Sequence, residues 1–217
     1  MSVHLSPEAI EAESFRIIES EVGPHNWSPQ MWPLVRRAIH TSADFDYAAS
    51  MYISEGAIAS GIAALKAGCG IVTDTTMVIS GMSKERLTPF GVKVSCYVAD
   101  PQVAKDAKAQ LITRSILAMR KGGRDANNGI FVIGNAPTAL FELIRLIREE
   151  RLVPKLIVAL PVGFVGAVES KEALKELARD YPNLPYITNT GRKGGSNVAA
   201  AVMNAILVQA GAQRQIS

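Results

Sequence analysis

The chain has 217 residues, 48% apolar and 20% charged, the balance of a folded globular protein and not of a disordered one. At this length about 70% of the unfolded surface can be buried, so no disulfide framework or structural metal is needed, and one domain spanning residues 1–217 is expected. The formal charge of +3 and pI of 8.9 fall short of a nucleic-acid-binding footprint unless the cations cluster, yet leave room for an anionic small ligand.

Cys69 and Cys96 each sit in an apolar run and read as buried free thiols. Histidine occurs only at positions 4, 25 and 40, so no zinc-ligand spacing exists. The first 18 residues carry Pro7, Glu8, Glu11 and Glu13, which excludes a signal or transit peptide. No apolar run approaches the roughly 18 residues of a membrane span, and a cytoplasmic setting is expected. Aromatic content of 6% is low for a base-stacking platform.

Residues 1–68 read as a helical extension. Ser6 and Pro7 start a helix whose apolar face includes Ile10, Phe15, Ile18 and Val22, and Gly23-Pro24 ends it. Ser28-Pro29 repeats the start signal, leading through Trp32, Leu34, Val35 and Ile39 to His40. Asp44 to Met51 is a connection or short helix, and Ser54 opens an Ala-rich helix that Gly68 closes.

From residue 69 to 217 the period changes to that of an α/β core. Five β-branched runs, CGIVTD, VKVSCYV, IFVIG, LIVALPV and PYITNT, alternate with helices. The helices are expected from Asp100-Pro101 to Gly123, from 137 to 148, from 170 to 179 and from 196 to 208. Uninterrupted apolar strands such as IFVI and LIVAL suit a parallel sheet covered on both faces. The expected fold is therefore α/β, a three-layer, doubly wound, mainly parallel five-stranded sheet with a helical N-terminal extension.

Ligands of such sheets bind at the carboxyl ends of the strands. Thr73 to Thr76, Gly134 to Thr138, Pro161 to Gly166 and Asn189 to Ser196 follow four of the five. Their glycines permit close backbone approach to a ligand and equally serve tight turns. Arg192 and Lys193, in GRKGGS, suit a carboxylate, a phosphate or plain solvent; neither a phosphate-loop spacing nor a GxGxxG after a strand occurs.

His40 ends a helix beside Arg36 and Arg37 and precedes Thr41, Ser42, Asp44 and Asp46, so hydroxyls and carboxylates could set its tautomer. It reads as a proton carrier or a helix cap. Asp74 reads as an acid–base group or, preferably, a cap for the next helix. Arg114 falls among Leu111, Ile112, Ile116 and Leu117, where its guanidinium either meets an anion near an apolar face or snorkels to solvent.

The strings RAIHTSADFDYA, DTTMVISGM, ITRSILAM, IGNAPTALFELI, LPVGFVGAVESKEAL and NTGRKGGSNVAAAVMNAI resemble, in order and over nearly the whole chain, the precorrin-8X methylmutase family with its cobalt-precorrin-8 branch. The resemblance implies a flavodoxin-like fold, a homodimer and an isomerase of cobalamin biosynthesis. Its members move a methyl group from ring carbon eleven to ring carbon twelve of a corrinoid (tetrapyrrole) substrate, giving hydrogenobyrinate or cobyrinate, without an added cofactor. By the same resemblance His40 is the catalytic histidine, and Ser14 and Arg114 contact substrate. Arg192 and Lys193 match a family loop in outline and are expected to contact it too. A non-catalytic corrinoid carrier and a flavin- or nucleotide-binding module are the rival readings. No metal of the protein's own is expected, any cobalt arriving in the substrate.

Overall fold

The computed structural model describes residues 6–214, and their side chains through residue 212. Ser6 caps helix α1 (Pro7–Val22), accepting the Ala9 amide at 3.2 Å, and Gly23 at φ +66° ends it, as the sequence signals require. Helix α2 (Trp32–Ser42) begins later than Ser28-Pro29 suggests. Ser28 instead accepts the Met31 amide in a turn, and Pro33 falls at the second helical position. The helix also runs two residues beyond His40, to Ser42, and Ala43 at φ +53° caps it.

Helix α3 (Tyr47–Ser50) leads directly into strand β1 (Met51–Ile53) and then α4 (Ala57–Lys66), closed by Gly68 at φ +74°. The core follows as β2 (Gly70–Thr73), α5 (Thr76–Gly81), α6 (Lys84–Leu87), a 3₁₀ turn at Thr88–Phe90 and β3 (Val94–Cys96). After it come α7 (Pro101–Gln110), α8 (Arg114–Gly123), β4 (Asn128–Ile133), α9 (Pro137–Glu149), β5 (Leu156–Ala159), α10 (Ala167–Asp180), β6 (Tyr186–Asn189) and α11 (Ser196–Arg214).

All five expected strands are present, and the sheet has a sixth. Its order is β1-β6-β5-β4-β2-β3; β2 to β6 are parallel, and β1 pairs antiparallel with the β6 edge. Leaving β1 aside, this is the doubly wound order in which the first two strands reverse, so the switch point lies between β2 and β4. The sequence conceals β1 because three residues with one β-branched side chain carry almost no strand signal.

The single helix expected from 101 to 123 is two helices. Leu111 adopts φ +56°, and Thr113 caps a fresh start at Arg114 by accepting the Ile116 amide at 3.4 Å. Arg114 is consequently the first residue of α8, exposed, and not on an apolar face.

Successive residues of β4 divide between two apolar clusters, which shows why its sequence is apolar throughout. Ile130 and Val132 pack with Leu34, Ile39, Ile62 and Val202, from α2, α4 and α11; Phe131 and Ile133 pack with Met119, Leu140 and Leu174, from α8, α9 and α10. Residues before 69 thus furnish part of one covering layer. Cys69 and Cys96 are unbridged and half-buried, less buried than expected. No helix among the described residues is long and apolar enough to cross a membrane.

Candidate active site

Because α11 follows β6 after the loop of residues 190–195, its N-terminus marks the carboxyl edge of the sheet. The Asn197 side chain there donates to the Thr41 carbonyl at 3.4 Å, which brings the end of α2, with His40, to that edge. His40 is exposed and lines a cavity of about 240 Å³ with Arg37, Thr41, Gly81, Asn197, Ala200 and Asn204. Small residues form its floor by necessity: a Cβ on Gly81 would stand 2.7 Å from that of Ala200.

The His40 ring meets Phe15 edge-on, with centroids 5.3 Å apart. Arg36 and Arg37 lie over the same Phe15 ring at 4.0 and 4.8 Å. Arg37 also holds Glu11 at 2.5 and 2.9 Å, and Arg36 holds Glu19, so two ion pairs fasten α1 to α2. The Arg37 hydrogen bond keeps the Glu11 carboxyl below the usual range, against the effect of burial. Ser14, one residue before Phe15, is half-buried and donates to the Ile10 carbonyl of its own helix at 2.8 Å.

The neighbours expected to set the His40 tautomer do not do so. Ser42 donates to the Ala38 carbonyl at 2.7 Å, and Asp44 and Asp46 pair with Lys193 at 2.6 and 2.5 Å. These bonds depress the Asp44 carboxyl and raise the Lys193 ammonium above their ordinary values. Among the described residues no hydrogen bond reaches the imidazole, which lines the cavity beside Phe15. His25 instead stacks on Trp32 at 4.0 Å, and His4 lies outside the described residues.

Asp74 departs from its expected role. Thr75 caps α5, through the Val78 amide at 3.4 Å, while the buried Asp74 carboxylate turns to the next strand and accepts the amides of Gly134, Asn135 and Ala136 at 3.0, 2.8 and 2.6 Å. Burial pushes its pKa up and the three amides pull it down, with burial the larger effect. Beside it the Thr75 and Ser196 hydroxyls stand 3.0 Å apart. The amide nest at which such a crevice would hold a phosphate is thus filled by the protein's own carboxylate, which counts against the nucleotide and flavin readings.

Arg114 reaches the carboxyl edge from the opposite layer. Thr113, just before it, donates to the Thr138 hydroxyl at the start of α9 at 3.1 Å, and Arg114 itself has no ion-pair partner among the described residues. Arg192 is exposed, its guanidinium 5.6 Å from the Phe164 ring. The structure therefore sets His40 against Phe15 on one side of the edge, with Ser14 the residue before Phe15, sets Arg114 on the other, and ties Lys193 to the turn after His40.

Sequence reasoning missed Lys171. It lies on the buried stripe of α10 with Ala167, Ser170, Leu174 and Leu177, and a lysine at such a spacing is the signal that could have found it. Among the described residues no three His, Cys, Asp or Glu side chains gather as a metal-ligand set.

The family model described as precorrin-8X methylmutase matches residues 9–209. The chain belongs to the precorrin-8X methylmutase family. Membership makes it an enzyme, a methylmutase of the isomerase class. The cobalt-precorrin-8 methylmutase of Priestia megaterium is 48% identical over 206 residues, covering 95% of this chain and 89% of that one. The precorrin-8X methylmutase of Pseudomonas aeruginosa is 38% identical over 202 residues, covering 93% and 95%. Among solved structures, a precorrin-8x methyl mutase from Thermus thermophilus superposes with a TM-score of 0.86 at 41% identity, covering 95% of this chain and 97% of that one. The methylmutase fold thus accounts for the whole described sheet.

Proposed function

We propose that this methylmutase moves the methyl group on ring carbon eleven of cobalt-precorrin-8 to ring carbon twelve, giving cobyrinate, with His40 as proton carrier. The observation that carries the reading is the exposed, unengaged His40 imidazole in a small-residue cavity at the carboxyl edge. One carbon–carbon bond breaks and one forms within the same molecule, so the formula is unchanged. His40 donates a proton to the conjugated ring as the methyl migrates and takes one back afterwards. Such transfers contribute typically about a hundred- to ten-thousand-fold. An isomerisation balanced in this way needs no cofactor of the protein's own, and cobalt enters as part of the substrate.

The substrate presents several carboxylates around an apolar ring. Arg114 and Arg192, both exposed at the carboxyl edge, suit those carboxylates, as does Lys193 when it exchanges the exposed Asp46 for a substrate group and keeps Asp44. Ser14 supplies a hydroxyl on the His40 side. The relative at 48% identity, named for cobalt-precorrin-8, supports the cobalt form of the substrate.

The chain is read as acting in the cytoplasm, as a homodimer and as one domain. Leu111, Phe164 and Val165, 92%, 85% and 90% exposed in the loops entering α8 and α10, support the dimer, since apolar side chains this exposed call for a covering surface.

The test is conversion. Purified protein mixed with cobalt-precorrin-8 should shift the visible absorption to that of the corrin while the mass of the pigment stays constant. Precorrin-8X serves as the second arm, and faster turnover of it would reverse the substrate preference. Tight binding of either without conversion would replace the enzyme reading of this site with the carrier reading.

A further inference from the structure

Lys171 is fully buried, yet among the described residues no carboxylate pairs with it. Its ammonium donates to two main-chain carbonyls of one loop, Gly191 at 3.0 Å and Lys193 at 2.6 Å. The charged group that bears on it is Lys175, one turn further along α10 and itself paired with Glu172 at 2.9 Å. Burial, with Lys175 adding to it, lowers the Lys171 pKa to about 8. A buried, unpaired cation is costly, and leucine or methionine would fill the same stripe of α10 without that cost. What only the ammonium supplies is a pair of donors aimed at the loop.

That loop is held at every point near Lys193. The Lys193 carbonyl also accepts from the Asn189 side-chain Nδ2 at 2.9 Å, Gly195 donates to the Leu160 carbonyl at 2.9 Å, and Thr190 donates to that of Ser50. With its main chain fixed, Lys193 extends its side chain to Asp44 and Asp46, in the turn that follows α2. A continuous series of contacts thus runs from Lys171 through residues 191–193 to the end of the helix that carries His40.

We propose that Lys171 is a positioning residue for the methyl shift: it clasps the 191–193 main chain so that Lys193 fixes the turn after His40. This rests on the reading of His40 as the proton carrier. Lys171→Met, Lys171→Gln, Lys193→Met and the double variant Lys171→Met with Lys193→Met are compared for conversion of cobalt-precorrin-8 and for amide hydrogen exchange. The clasp predicts faster exchange of segments 189–196 and 41–50 in both Lys171 variants. It predicts a kcat lowered about tenfold, with a smaller change in KM, because the loss is one of alignment. It also predicts a double variant no slower than the worse single one, since both residues act through one contact.

Additive losses, or exchange that rises around α10 and leaves 41–50 unchanged, would reduce Lys171 to a structural residue and overturn the proposal. Lys171→Gln serves for the comparison if the methionine variant does not fold. If the parent protein fails to convert the substrate, the functional reading falls, while the exchange data still decide whether the clasp exists.

Discussion

The Asp74 carboxylate at the end of β2 accepts the amide of Asn135 at the end of β4 at 2.8 Å, closing the switch point of the sheet from within. Gly134 and Ala136 donate to the same group, and a Cβ on Gly134 would stand 2.7 Å from Ser196 Cα, so α11 also packs onto this turn. Replacing Asp74 with alanine strands three main-chain donors, two of them in buried residues. The expected loss is about 3 kcal/mol or more, read as a fall in the denaturant midpoint with an unchanged slope. A variant as stable as the parent would mean that the nest is satisfied without Asp74.

Arg114 has no ion-pair partner among the described residues, so its removal should leave stability alone. Arg114→Ala is expected to raise the Kd for cobyrinate about ten- to a hundredfold, the value of one charge-assisted hydrogen bond to a carboxylate. Titration of the corrin absorption measures it, and the thermal midpoint should match the parent's. Unchanged affinity would assign Arg114 to the solvated surface.

Lys171 gives stability a defined pH dependence. Its pKa is about 8 in the folded chain against an ordinary 10.5, so between those values the unfolded chain binds the extra proton. The Lys171 contribution to stability is therefore lowest below about pH 8 and grows as pH rises toward 10.5. Thermal midpoints of the parent and of Lys171→Met, measured from pH 7 to 10.5, should diverge in the parent's favour as pH rises. Parallel curves would contradict the burial of the charge.

The alternation of apolar strands and capped helices made the parallel sheet legible in the sequence, because IFVI and LIVAL have no face to spare for water. Strand β1 was not legible, since its place at the β6 edge depends on a pairing with residues 187–189 that nothing in MYI announces. The break at Leu111 escaped for a similar reason: a leucine at positive φ is held by its surroundings and not by local preference. At the site, His40 and the strand-end loops followed from chain position alone. The partners of Asp74, Lys171 and Lys193 did not, because each lies 20 or more residues away along the chain, 20 for Lys171 with Gly191 and 147 for Lys193 with Asp46.

Proton transfer by His40 is the centre of the proposed reaction, and the single-turnover rate of methyl migration in His40→Ala tests it most directly. With the parent's thermal midpoint retained, as an exposed side chain allows, the variant should still bind cobalt-precorrin-8 and convert it about a hundred- to ten-thousand-fold more slowly. Conversion at close to the parent's rate would contradict the account and move the proton transfer to another group.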